Sequence, residues 1–189
     1  MDTENINNTG LTVVSNGIMT NDQIKQFRTN LENFTSNLNK KPAPKSVVKH
    51  KENYEYIPIS FIEKDLDRLF FGLVQYELLS FQQIFNEVVV TARIKVFHPV
   101  LNSWMQYDGI GSAVIQQDAN STLMDFNNTK KKNALKLAAP IAYAEAKKNA
   151  AKQLGKRFGS DLNRKEGFVD DYRPFGKPQE DEDNKPLNK

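Results

Sequence analysis

The stretch Ala139–Lys165, APIAYAEAKKNAAKQLGKRFGSDLNRK, decides how the rest of the chain is read. Its alanine run has high helix propensity. Pro140 suits a first helical position, where the missing N–H costs nothing. Gly159 suits the left-handed cap that ends a helix. The stretch therefore predicts one helix from about Pro140 to Phe158, then a glycine stop and a short second turn. Tyr143, Ala150, Ala151, Leu154 and Phe158 fall on one narrow apolar side. Ala150, Ala151 and Gly155 are small enough to let that side approach a sheet closely.

The polar side carries Lys148, Lys152 and Lys156 at i, i+4 and i+8, with Lys147 and Arg157 flanking them and Arg164 and Lys165 following. Like charges at i, i+4 disfavour an isolated helix by about 0.2–0.5 kcal/mol per pair. Only Glu145 offers a nearby opposite charge. Such a ladder is either a solvated face or a surface that a phosphate backbone neutralises. Charge along the chain is asymmetric. Residues 130–165 hold eleven Lys/Arg against two acids, a balance of +9; residues 166–189 hold seven acids against four bases, a balance of −3. That pattern suggests a basic binding surface followed by an acidic tail.

Composition narrows the class. The 189 residues allow one domain with a real core plus tails. Mean hydropathy is −0.61. Without cysteine the chain has no disulfide and no thiolate metal site, which fits a reducing cytoplasm. The N-terminus, MDTENINNTG, does not read as a signal peptide, and no apolar run reaches transmembrane length.

Outward from the helix, residues 1–20 predict disorder. Ile24, Phe27, Leu31, Phe34 and Leu38 repeat at three and four, predicting an amphipathic helix over 21–39. Lys40–Lys51, KKPAPKSVVKHK, reads as a linker, so residues 1–53 form an arm. A core domain follows over 54–172, and an acidic tail over 173–189. In the core, Ser60 and Glu63 match a capping box for the helix SFIEKDLDRLFFG, with Ile62, Leu66, Leu69 and Phe70 buried and Gly72 closing it. Val74–Phe85, Val88–Phe97 and Ser103–Val114 are three strand candidates. The second alternates cleanly: Val88, Val90, Ala92, Ile94 and Val96 on one face, Thr91, Arg93 and Lys95 on the other. Gly109 and Gly111 in the third predict a bulge or a close backbone approach. Short connections argue for an antiparallel meander. The fold class is thus α+β: a helix, a three-stranded antiparallel meander and a long packed helix, a β-β-β-α core, with flexible tails.

No P-loop is present. His50 and His98 are the only histidines, His50 in the linker and His98 in a turn before Pro99, and without cysteines they argue against zinc. Glu145-Ala146-Lys147 matches the E-x-K fragment of metal-dependent nucleases but lies in a helix rather than on a strand. Arg93 and Lys95 would extend a basic groove if their strand face borders the lysine ladder. Trp104, Tyr107 and Phe97 are candidates for base stacking or for the core.

Three stretches together, YIPISFIEKDLDRLFFG, VVVTARIKVFHPVLNSWMQYDGIGSAVIQ and AYAEAKKNAAKQLGKRFGSDLNRK, resemble the Sak-type single-strand annealing proteins of phages, relatives of the eukaryotic recombination protein Rad-fifty-two. The resemblance covers about residues 54–166. Its most specific part is the basic helix running into Phe158-Gly159, followed by Asp161-Leu162-Asn163-Arg164. It implies ring-shaped homo-oligomers that hold the backbone of single-stranded DNA in a basic groove, bases outward, without ATP or another cofactor. It places Lys152 and Lys156 at groove positions; Gln153 stands where the relative has an arginine. Lys130, Lys131 and Lys132 fall near a second, outer DNA region.

The sequence therefore predicts a non-enzymatic, ATP-independent single-strand binding and annealing protein of phage recombination, in the host cytoplasm if phage-encoded. The candidate contacts are Lys148, Lys152, Lys156, Arg157, Arg93, Lys95, Arg164 and Lys130–Lys132. A single-strand-binding protein or a phage exonuclease would be a fitting partner, and no membrane is involved. The alternatives are a helix-turn-helix regulator using AKQLGKRFGSDLNR and a nuclease using Glu145 and Lys147.

Overall fold

The computed structural model describes residues 20–50, 53–120, 122 and 126–164. Its centre is strand β4, Glu87–His98, flanked by β3 (Val74–Ile84) and β5 (Ser103–Val114) in an antiparallel sheet of order β3-β4-β5. Val88, Val90, Ala92, Ile94 and Val96 are all fully buried, as the alternation predicts. Burying each Val or Ile contributes about 1.5–3 kcal/mol, so this one strand face anchors the core. The β3–β4 hairpin turns through Phe85, whose φ is +52°. The ladder from β4 to β5 is regular from Glu87↔Val114 to His98↔Ser103. The irregularity lies in β3 instead, between Leu78 and Ser80.

Helix α4, Ala134–Lys152, lies across β4 and β5. Its buried seam is Ala134, Ala138, Ala142, Ala146 and Ala150, one residue every turn. This seam meets Gly109 and Gly111. A Cβ on Gly109 would stand 2.2 Å from the Ala146 carbonyl oxygen, and one on Gly111 would stand 2.3 Å from the Ala146 nitrogen. The glycine pair therefore marks a close approach and not a bulge. The helix departs from the predicted limits at both ends. It starts before Pro140, which sits inside it on an exposed face. There the Lys136 carbonyl loses its helical donor. It stops at Lys152, short of Phe158. Gly155, at φ +143°, lies outside helical conformation, and a side chain there would collide with the Leu38 carbonyl (2.6 Å), so the position needs glycine. Lys156–Phe158 form a separate 3-10 turn, and Gly159, at φ +87°, caps that turn.

Helix α2, Ile59–Leu69, buries Ile62 and Leu66, and Phe70 follows as a buried cap residue. The predicted Ser60–Glu63 capping box is not formed. Pro58 occupies the N-cap position without a side-chain bond, and Glu63 pairs with Lys147 on α4. Helix α1, Asn21–Leu38, does form, with a capping box of Thr20 and Gln23. Its C-terminal half packs on the core: the Phe34 ring lies 5.7 Å from Phe70 and 4.6 Å from His98. The stretch expected to be a linker is ordered in part. Pro44–Ser46 make a 3-10 turn, and β1 (Val48–Lys49) pairs with β2 (Glu55–Tyr56) in a short ribbon. A four-residue helix α3, Phe126–Thr129, precedes α4.

The molecule is α+β, a helix and three-stranded antiparallel meander followed by a long packed helix. The expected flexible tails lie outside the described residues. Among the described residues no helix is long and apolar enough to cross a membrane.

Candidate nucleic-acid interface

Strand β2 with the neighbouring His50 and Tyr54, one face of α4 and residues of the stretch after it enclose a cleft of about 440 Å³. Lys148 and Lys152, at i and i+4, bring two ammonium groups to one wall; His50, Tyr54 and Tyr56 supply aromatic surface on the other. His50 stacks on Tyr54 with ring centroids 4.5 Å apart, and Tyr56 stands 6.3 Å from Tyr54. The Lys148 ammonium lies 5.5 Å over the Tyr56 ring and 3.2 Å from a Glu145 carboxylate oxygen. Lys152 donates to the Asn149 side-chain oxygen at 2.9 Å. The ribbon is fixed from the other side by Asn163. Its amide donates to the Glu55 carbonyl (2.6 Å) and accepts from the Glu55 N–H (2.7 Å), imitating a strand partner. Glu55 and Glu145 also line the cleft, so its two lysines stand beside two carboxylates; lysines together with aromatic faces are the groups that hold single-stranded nucleic acid.

Lys148 and Lys152 are the only two predicted contacts that line this cleft. Lys156 is turned away by the Gly155 break and lies 3.5 Å from an Asp161 carboxylate oxygen. Arg157 is bidentate to Asp65, its Nη2 at 2.9 Å. That carboxylate, through its hydrogen bonds first, raises the guanidinium pKa further. Arg93 and Lys95 do not border the ladder. They leave the sheet on the face opposite α4, where Arg93 is bidentate to Asp108 at 2.6 and 2.8 Å and Lys95 bonds Glu77. The hydrogen bonds from Arg93 lower the Asp108 pKa. The strand alternation that buries Ala92 and Ile94 beneath α4 forces their odd-numbered neighbours outward. Phe97 and Trp104 share that far face at 5.5 Å, whereas Tyr107 is half-buried against the core. Lys130–Lys132 precede α4, about 30 Å from Lys152 by helix rise. Arg164 is exposed at the end of the described chain.

Sequence reasoning missed the aromatic wall. The residues Tyr54-Glu55-Tyr56 do alternate, but a two-residue strand is too short for a period to emerge, and His50 falls in a stretch whose prolines and lysines read as a linker. Two alternative readings find no geometry in their favour among the described residues. Ser160–Arg164 form turns and no recognition helix. The E-x-K pair is split: Glu145 faces Lys148, while Lys147 pairs with Glu63 beneath the rings of Tyr76 and Tyr143 (5.2 and 4.8 Å). Among the described residues no three His, Cys, Asp or Glu side chains cluster as metal ligands. A scan of the chain against models of protein families matches none, and a search of curated proteins finds no match either.

Proposed function

We propose that this chain is an ATP-independent single-stranded DNA-binding and annealing protein, of the kind the sequence resembles, working as a homo-oligomer. The observation that carries the reading is the cleft in which Lys148 and Lys152 face His50, Tyr54 and Tyr56. Lysines neutralise phosphates without regard to sequence, and aromatic faces accept any base. Neither requires a nucleotide cofactor.

The oligomer is supported by the sheet edges. The middle of β5's outer edge is already occupied: Asn149 Nδ2 donates to the Ile110 carbonyl at 2.8 Å, and Gln153 Nε2 donates to the Asp108 carbonyl. The β3 edge has no strand partner among the described residues. It carries exposed Leu78, Leu79, Phe81 and Ile84, with Phe85 at the hairpin 82% exposed. An open edge with that apolar load calls for a partner, and a second copy of the chain supplies one. The test is fluorescence anisotropy with labelled oligonucleotides. The protein binds single strands of unrelated sequence alike and duplex more weakly, and it speeds pairing of complementary strands without ATP. Preference for one duplex sequence, or no affinity for single strands, overturns the reading.

A further inference from the structure

A second cleft, about 330 Å³, lies beside the first and shares Ile57, Ile62 and Phe158 with it as lining. Its rim is strongly basic. Lys40, Lys41 and Lys45 come from the connection after α1, Lys64 and Arg68 from α2, and Arg157 from the 3-10 turn. The acid on that rim is Asp65, and it is spent on two guanidinium groups: Arg157 Nη2 at 2.9 Å and Arg68 Nη2 at 3.1 Å. Lys40, Lys41, Lys45 and Lys64 are exposed, and among the described residues none of them bonds a carboxylate. Six cations and one carboxylate around one concavity leave a local balance of +5. The six cations come from three separate stretches of the sequence. They converge because Pro44–Ser46 turn and β1 pairs with β2, which folds the connection back over α2.

We propose that this second cleft is a phosphodiester-binding site that continues the path of single-stranded DNA beyond the Lys148–Lys152 cleft, past the Ile57–Phe158 partition. The identity of its ligand rests on the single-strand reading above; the existence of a polyanion site does not. Two observations favour nucleic acid over an acidic peptide. The cleft adjoins one that offers aromatic faces as well as cations, so one polymer with phosphates and bases satisfies both. Its free cations are exposed lysines, three on the connection after α1 and Lys64 on α2, point charges suited to a backbone of variable register. The acidic stretch 166–189 of the same chain is the competing occupant.

The test uses the full chain and the variant K40A/K41A/K45A, with Lys148 and Lys152 intact. All three positions are exposed, so the fold should survive, and circular dichroism checks it. Binding to a labelled oligo-dT is titrated at several salt concentrations. If each lysine contacts one phosphate, the salt slope flattens by about 2, at roughly 0.7 per contact. Affinity at low salt falls at least about tenfold, since three ion contacts are lost. Wild-type affinity and slope in the variant overturn the proposal, and a peptide of residues 166–189 that crosslinks to the wild type but not to the variant assigns the cleft to the acidic tail. If the wild type itself binds no oligo-dT, the single-strand function falls and the cleft is read with inorganic polyphosphate by calorimetry. Binding that the variant loses then keeps the polyanion site, and its absence removes that too.

Discussion

His98 shows how one residue ties the fold to pH. It is 7% exposed, although it stands at a hairpin, because Phe34 of α1 covers it. Its Nδ1 accepts from the N–H groups of Val100 (3.2 Å) and Leu101 (3.1 Å). Burial lowers its pKa below the ordinary histidine value. The unfolded chain therefore binds the proton more readily than the folded one. The stabilisation is complete above the unfolded pKa, about 6.5, and is lost as pH falls through the lowered folded value. Protonation also places a hydrogen on the nitrogen that accepts both bonds. The melting temperature is expected to drop between pH 7 and pH 5, and H98N to lose that part of the dependence. Equal pH profiles for both proteins would contradict the assignment. The sequence placed His98 in a turn but gave no sign of its burial, since the covering ring lies 64 residues earlier in the chain. Likewise the spacing of Lys148, Lys152 and Lys156 and the nearness of Glu145 were legible, while Asn149 and Asp161 emerged as partners of Lys152 and Lys156 only from the geometry.

At the scale of the element, the seat of α4 is the instructive case. Strand β4 was readable because its β-branched residues alternate with polar ones, and burial follows that period without exception. The α4 seam was readable only at its C-terminal end. Alanine is weakly hydrophobic, and the bulkier Leu137 and Ile141 of the same helix are 54% and 59% exposed. Apolarity alone therefore points to the wrong side; what fixes the packing is small size against Gly109 and Gly111. G111A should push the helix off the sheet, because its Cβ would meet the Ala146 nitrogen at 2.3 Å and the Ala142 oxygen at 2.4 Å, both backbone atoms that cannot step aside. Overpacking of this kind costs about 1–3 kcal/mol, so thermal denaturation should show a Tm lower by several degrees, at about 2–4 °C per kcal/mol for a chain of this size. A variant as stable as the wild type would mean that the helix does not sit so close.

At the scale of the whole molecule, the open β3 edge and the two adjoining clefts set the expectations. F81K places a charge on the exposed apolar β3 face without entering the core, since Phe81 is 47% exposed. Light scattering should show a large assembly for the wild type and smaller species for this variant, with unchanged secondary structure. A wild-type chain that is monomeric at micromolar concentration, with and without DNA, would remove the assembly from the account. The central claim is that the Lys148–Lys152 cleft holds the backbone of single-stranded DNA, and the salt dependence of binding tests it most directly. K148A/K152A leaves the buried alanine seam untouched and replaces lysine with a better helix former. For the same oligonucleotide, its slope of log affinity against log salt should be flatter than that of the wild type by about 1.4, roughly 0.7 for each lost phosphate contact, with a similar loss for every sequence. An unchanged slope and wild-type affinity in the folded double variant would return Lys148 and Lys152 to a solvated helix face and contradict the account.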